Sequence, residues 1–344
     1  MGEHFLDVEG VRGSSPLRLT IFLFMKTKVF ATLGPAFNTK EMLLEAAFLG
    51  VGGFRINLSH GNLSDFKEWL DNIKSLGNKH EVIIDLQGPE LRLGDLQKPL
   101  LLLKNNIYPL ALLPIPDFIL EKIKCDSVVA IDDGKIIIRM LADDSFMVLE
   151  GGEVKGRKSI KINGQERFLP IVSKRDLKNL EECRKYGVTA LMCPFIESRK
   201  DLQELKDILK SLGLNLRIYS KIEDLKGIAN LEQIADESDV VVIARGDLGN
   251  ATGLSSLPYF QRKIADYCKR KHIPYMVVTE MLNSMINNPL PTRAEVNDIF
   301  EAVAYGAEYL MLTGETAIGK YPINAIRMMI DVAKEAEKYL NECQ

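Results

Sequence analysis

LNLRIYSKIEDLKGIANLEQIADESDVVVIARGDLG, residues 214–249, holds the pattern that decides the fold. Residues 216–222 and 240–244 are short runs rich in β-branched residues, as expected of strands buried on both faces of a parallel sheet. Between them, residues 225–235 repeat apolar side chains at the three- and four-residue spacing of a helix. Strand, helix and strand in this order form the unit that builds parallel sheets. Working outward, similar strand runs occur at 28–33, 53–58, 82–86, 190–195, 275–279 and 309–313. Helical patterns separate them at 39–49, 64–76, 174–186, 200–212, 257–271, 292–305 and 323–339. Caps support these bounds: Asn38 to Gly50, Ser64 to Gly77, Ser173 to Gly187, and Gly213 after Leu212. Eight such units predict an α/β fold, the (β/α)8 TIM barrel.

One unit is interrupted. Between Gly94 and Ser173 the helical period gives way to β-rich runs at 100–103, 128–131, 135–140 and 146–149. Turn signals stand at Asp132-Asp133-Gly134 and Gly151-Gly152. The reading is a small β-rich domain, 95–172, inserted after the third barrel strand, with 25–94 and 173–344 forming the barrel. Such an insertion leaves from the face where barrel active sites lie and is placed to act as a lid. Residues 1–24 read as a leader of uncertain order. Their apolar run, 17–24, is far short of a membrane span and a poor fit to a signal peptide, and Met25 is an alternative start.

Composition narrows the function. The 344 residues are 46% hydrophobic and 26% charged, with 44 Lys and Arg against 47 Asp and Glu, a net charge of −3. No basic block marks a nucleic-acid or membrane surface. Five cysteines, widely spaced and without a CxxC pair, argue against a disulfide framework or structural zinc and for a cytoplasmic setting. With only four histidines (4, 60, 80 and 272), the chemistry is expected to run on carboxylates, lysine, arginine or metal.

Polar residues crowd the strand ends, where a packed barrel wants apolar ones. A period of two puts Arg55, Asn57 and Ser59 on one face, and likewise Lys221 and Glu223. Asp85, Asp247, Thr279 and Glu315 end the third, sixth, seventh and eighth strands. Glu223 and Asp247, on neighbouring strands, suit one hard cation such as Mg2+. Singly, each residue serves equally well as a helix cap or a loop ion pair; together they mark a working site.

The strings TKVFATLGPA (27–36), FRINLSHG (54–61), IIDLQGPELRLG (83–94), SKIED (220–224), ARGDLG (244–249), PTRAE (291–295) and LTGETAIGKYP (312–322) carry a resemblance. In this order, over about residues 27–340, the chain resembles the pyruvate kinase family. The resemblance implies transfer of the phosphoryl group of phosphoenolpyruvate to ADP, dependent on Mg2+ (or Mn2+) and K+, in glycolysis. It implies Glu223 and Asp247 as Mg2+ ligands, and Asn57, Ser59, Asp85 and the Leu86 carbonyl around K+, with Glu90 the acidic residue of K+-dependent members. Lys221 and Arg55 would act on the phosphoryl group, Thr279 beside the carbon to be protonated, and the Gly246 and Asp247 amides on the substrate carboxylate. Asn57, His60, Arg92 and Lys158 would contact nucleotide, with Asp133 as the lid aspartate. Asp132-Asp133-Gly134 is as readily a plain hairpin turn, and Lys158 a solvated lysine.

Departures from the family pattern cluster on the nucleotide side. Pro194 and Glu197 stand in a run where the family has a hydroxyl and an arginine. Ser159-Ile160-Lys161 replaces Gly-Val-Asn, Glu280 replaces Gln, Thr313 replaces Ser, and Asn250-Ala251 replaces Val-Glu. The chain stops near Gln344, so the expectation is a form without the family's C-terminal effector domain, with a shortened lid and possible homo-oligomers formed through the barrel. Two alternatives stay open: a related barrel enzyme doing aldol cleavage or decarboxylation on an oxoacid, and a non-catalytic paralogue. Gly314 to Lys320 matches the start of a P-loop, but Tyr321 occupies the place of its Ser/Thr, so it is read as chance. Neither nucleic acid nor membrane is an expected partner.

Overall fold

A computed structural model describes residues 26–132, 134–162 and 167–343. The leader, the alternative start Met25 and the lid residue Asp133 lie outside the described residues. Eight parallel strands close a barrel: Lys28–Thr32 (β1), Gly53–Asn57 (β2), Glu81–Asp85 (β3), Ala190–Cys193 (β4), Arg217–Ile222 (β5), Val240–Ala244 (β6), Tyr275–Val278 (β7) and Tyr309–Leu312 (β8). Each strand pairs with its sequence neighbours, and β1 closes on β8 with Lys28 opposite Tyr309 and Ala31 opposite Leu312. The fold is the (β/α)8 barrel that strand–helix alternation implies.

Alternation along the strands sorts the core into two layers. Phe30, Ile83, Met192, Tyr219, Val242, Met276 and Met311 fill the barrel interior. Val29, Ile84, Leu191, Val241, Ile243 and Leu310 face the surrounding helices. Gly53 is required where β2 passes Phe30: a Cβ there would lie 2.4 Å from the ring and 2.5 Å from the Glu81 carbonyl. At the N-terminal mouth, Arg217 donates to both carboxylate oxygens of Glu81 at 3.1 Å, and the Tyr219 hydroxyl donates to the same carboxylate at 2.9 Å. This network plugs the end of the barrel opposite the polar strand ends.

The insertion leaves after β3 and returns before the Lys174–Tyr186 helix. Six antiparallel strands run in the order Leu91–Arg92, Ser159–Ile162, Val128–Ile131, Ile136–Met140, Ser145–Glu150 and Ile107–Pro109. A two-stranded ribbon, Gly152–Val154 with Leu100–Leu102, lies alongside, and Val129, Ile131, Ile138, Phe146 and Val148 give the insertion its own core.

Local details differ from the sequence reading. The first barrel helix is capped by Thr39, not Asn38, with its side chain accepting the Met42 amide. The expected helix 225–235 is two short ones, Leu225–Ala229 and Leu231–Ala235, hinged at Asn230, whose amide donates to the Glu197 carbonyl at 2.7 Å. An additional helix, Arg245–Thr252, follows β6 directly. Among the described residues no helix is long and apolar enough to cross a membrane, and all five cysteines are free thiols.

Candidate active site

The C-terminal ends of the strands and one edge of the inserted sheet enclose a pocket of about 340 Å3. The barrel supplies Arg55, Asn57, Ser59, His60, Asp85, Leu86, Lys221, Glu223, Asp247 and Thr279, and the insertion supplies Asp132, Lys158 and Ser159. Gly246, whose amide the resemblance places on the substrate, is not on the wall. It lies just behind, where an added Cβ would stand 3.3 Å from the Thr279 methyl.

An ionic cluster forms the floor. Arg55, projecting inward from β2, donates from Nε and Nη2 to one oxygen of Asp85, at 3.0 and 2.6 Å, and from Nη1 to the Thr32 hydroxyl at 3.0 Å. The other Asp85 oxygen, Oδ1, has no hydrogen-bond partner, and its nearest cation is Lys221 Nζ at 3.3 Å. Lys221 also reaches Glu223 Oε1 at 3.1 Å, as two inward residues of β5 should. Burial by itself would lower the Lys221 pKa, but the carboxylates of Asp85 and Glu223 outweigh it and raise it, so the ammonium stays charged.

Glu223 is 2% exposed, and its other oxygen accepts the Phe195 amide at 2.7 Å. Burial pushes its carboxyl up to about 7; Lys221 opposes the shift and the charge of Asp247 adds to it. A buried carboxylate beside the half-buried Asp247 is suited to a hard divalent cation. Among the described residues no group of three His, Cys, Asp or Glu side chains is arranged to hold a metal. Mg2+ itself takes one or two carboxylates and fills its octahedron with water and substrate oxygens. The donor set suits the ion.

Strained backbone surrounds this floor. Phe195, Thr279 and Glu280 have φ of 52°, 82° and 54°, a region costly for bulky or β-branched residues. Each strained stretch is clamped. Phe195 is held through its amide by Glu223 and through its carbonyl by Arg167 at 3.0 Å. The Thr279 carbonyl accepts from Arg245 Nε and Nη2 at 2.9 and 2.7 Å, and Arg245 is anchored to Asp298 at 2.5 Å.

At the rim, the side-chain oxygen of Asn57 accepts the Ser59 amide at 3.0 Å. That places Ser59 in a short 3-10 turn rather than on an extended β2, although it still faces the pocket. His60 has its pKa lowered by burial and by Arg92 and Arg55, so it is neutral near pH 7. Arg92 is paired with Glu90 at 2.6 Å, and Lys158 with Asp132 at 2.8 Å. Burial raises the Glu90 pKa, an effect Arg92 opposes and Asp247 reinforces.

Three expectations are revised. Glu197 does not line the pocket; it is paired with Lys226 at 3.4 Å, so its charge is not presented to the phosphate rim. Lys161 is exposed and also off the wall. Glu315, fully buried, accepts the Leu282 amide at 3.0 Å and the Thr313 amide at 2.8 Å, which makes it a backbone brace. Sequence reasoning passed over Asp132 and Asp176. Asp176, completely buried, accepts the Gln87 and Gly88 amides at 3.0 and 2.9 Å and so fixes the loop after β3. Its signal was the Ser173-x-x-Asp176 capping box.

The family description "Pyruvate kinase, barrel domain" matches residues 24–107 and 112–326. The pyruvate kinase of Aeropyrum pernix is 36% identical over 327 residues, covering 91% of this chain and 71% of that protein. The pyruvate kinase of Borreliella burgdorferi is 34% identical, covering 91% and 69%. The chloroplastic pyruvate kinase isozyme G of Nicotiana tabacum is 33% identical, covering 92% and 60%.

Proposed function

The chain belongs to the pyruvate kinase family, and from that premise we propose that it is a phosphotransferase moving the phosphoryl group of phosphoenolpyruvate to ADP, in a reaction dependent on Mg2+ and K+. The observation that carries this reading is Lys221 seated between Glu223 at 3.1 Å and Asp85 at 3.3 Å, in the same pocket as Arg55 and Asp247. Phosphoryl transfer asks a protein for position and charge rather than covalent chemistry, and this pocket supplies both.

Glu223 and Asp247 would hold Mg2+, which when bound neutralises phosphate charge and orients the substrate oxygens. Lys221, charged and fixed by its two carboxylates, offsets the negative charge that builds on the phosphoryl group and then on the enolate oxygen. Arg55 offers a second cation from the far wall, its guanidinium held flat by Asp85 and Thr32. The Thr279 hydroxyl stands on a clamped, strained turn beside Gly246, a suitable place to relay a proton through water to the methylene carbon. Asn57, Ser59, Asp85 and the Leu86 carbonyl form an oxygen-rich corner for K+, and the orphaned Asp85 Oδ1 is the acceptor that such an ion would satisfy. His60, Arg92 and Lys158 form the nucleotide rim. Glu197 is paired away from the pocket and adds no charge to this rim, where Arg92 and Lys158 are balanced by Glu90 and Asp132 until a diphosphate takes the place of those carboxylates.

Pyruvate release, measured with each nucleoside diphosphate and with Mg2+ and K+ added or withheld, tests the proposal. Turnover that needs ADP and both cations is expected. Pyruvate formed from oxaloacetate with no nucleotide, and none from phosphoenolpyruvate, would overturn it.

A further inference from the structure

A second cleft, of about 580 Å3, lies on the flank of the barrel between the start of the Lys174–Tyr186 helix and the Asn62–Ser64 turn. It shares no lining residue with the barrel-mouth pocket. Lys174, Arg175 and Lys178 line it, and among the described residues none of the three has a carboxylate partner. Arg175 is engaged only by neutral oxygens, from Nε to Asn62 at 2.9 Å and from Nη1 to Gln87 at 3.2 Å.

Asn179 supplies an independent observation. Its Oδ1 accepts the Leu63 amide at 2.8 Å, which fixes the orientation of the side-chain amide. Nδ2 is then left as a buried donor without a hydrogen-bond partner, on a residue 2% exposed that lines this cleft. A buried donor without an acceptor is costly, and its neighbours here are three cations at the positive end of a 13-residue helix. The acidic residues nearby do not cancel them. Asp176 is completely buried and committed to the amides of Gln87 and Gly88. Glu181 and Glu182 line the same cleft about one turn further along the helix, and Glu182 is shared with Lys185 at 3.7 Å, so the three cations still outnumber the carboxylates.

We propose that this cleft binds a phosphate monoester, with the phosphate on Lys174, Arg175, Lys178 and Asn179 Nδ2 and the carbon skeleton towards Asn62 and Ser64. The volume falls within the roughly 300–1,000 Å3 of small-metabolite pockets, more than a bare ion needs. Occupancy would be felt at the barrel mouth, because Arg175 holds Gln87, and Gln87 lines that pocket.

The test titrates glycerol 3-phosphate, and separately inorganic phosphate, into the full chain by calorimetry. Wild type is compared with K174A/K178A, which alters two exposed side chains, and with R92A at the barrel mouth. The expected result is two classes of site in wild type. K174A/K178A weakens one class at least about tenfold and keeps basal turnover, and R92A leaves that class intact. Protection of Lys178 from acetylation by glycerol 3-phosphate, read by mass spectrometry in wild type, gives the same answer without a variant. Unchanged ester binding in K174A/K178A with no protection of Lys178 would overturn the proposal, as would binding of the inorganic ion with the ester excluded.

Discussion

Replacing Lys221 with Met probes the ionic floor most directly. In the native pocket two cations, Arg55 and Lys221, face three carboxylates: Asp85, Glu223 and Asp247. The variant leaves one cation against three, in a region where Glu223 is almost wholly buried and the Lys221 side chain is 15% exposed. Two losses follow. Turnover should drop by about 10²–10³ or more, the usual cost of removing one preorganised charge aimed at a transition state. Folding stability should drop by about 3–5 kcal/mol, the cost of stripping one partner from a buried pair. Part of that cost depends on pH. Lys221 lowers the Glu223 pKa, so without it the carboxyl rises beyond its native value of about 7. A group whose folded pKa is raised favours the folded state at low pH and loses that advantage as pH climbs. The stability gap between variant and wild type should therefore be nearly constant from pH 5 to about pH 7 and widen from there towards pH 9. Coupled pyruvate formation and urea titration at several pH values, with phosphoenolpyruvate binding as a control, measure both. Turnover within tenfold of wild type, or a gap that narrows with rising pH, would refute the reasoning.

Other outcomes follow from the same geometry. With Glu223 at about 7 in the metal-free chain, Mg2+ must displace a proton below that pH. Affinity should rise between pH 5.5 and 7 by up to about tenfold per unit and then level off, with proton release seen by calorimetry in buffers of different ionisation heat. Metal-free stability should fall by about 3 kcal/mol as pH rises from the ordinary glutamate value to that of Glu223, a loss that added Mg2+ reverses. Arg245→Gln releases the Thr279 carbonyl and should lower kcat about tenfold with little change in the KM for phosphoenolpyruvate. Equal losses in both parameters would point instead to binding. Glu81→Ala unpairs the plug at the opposite mouth and should cost about 1–3 kcal/mol in denaturant titration, the half-exposed Arg217 recovering some water, while specific activity holds.

The barrel was legible because most strands are buried on both faces and appear as short apolar runs, although β2 and β5 are interrupted by Arg55 and by Ser220 and Lys221. Val240–Ala244 is the plainest instance, all five residues being buried. The helix Arg245–Thr252 was not legible, since Gly246 and Gly249 lower helical propensity and no side chain caps its start. The break at Asn230 escaped notice for another reason: its cause is a contact with the Glu197 carbonyl, far away in sequence. At the site, period two foretold that Lys221 and Glu223 meet. It did not foretell that Arg55 lies on Asp85, or that Asp132 holds Lys158, because the first pair joins two strands and the second joins the turns beside two others. Glu315 illustrates the opposite hazard: a carboxylate at a strand end that serves two backbone amides.

Under the proposed function, the pairs Glu90–Arg92 and Asp132–Lys158 would give nucleotide entry the character of ion exchange. A diphosphate arriving there has to evict two resident carboxylates, so part of its attraction is spent before any net gain appears. Stray anions with a single weak charge face the same toll and repay less of it. A rim used in that way would turn away casual occupants without any steric gate, and would hold a diphosphate less tightly than unpaired cations would.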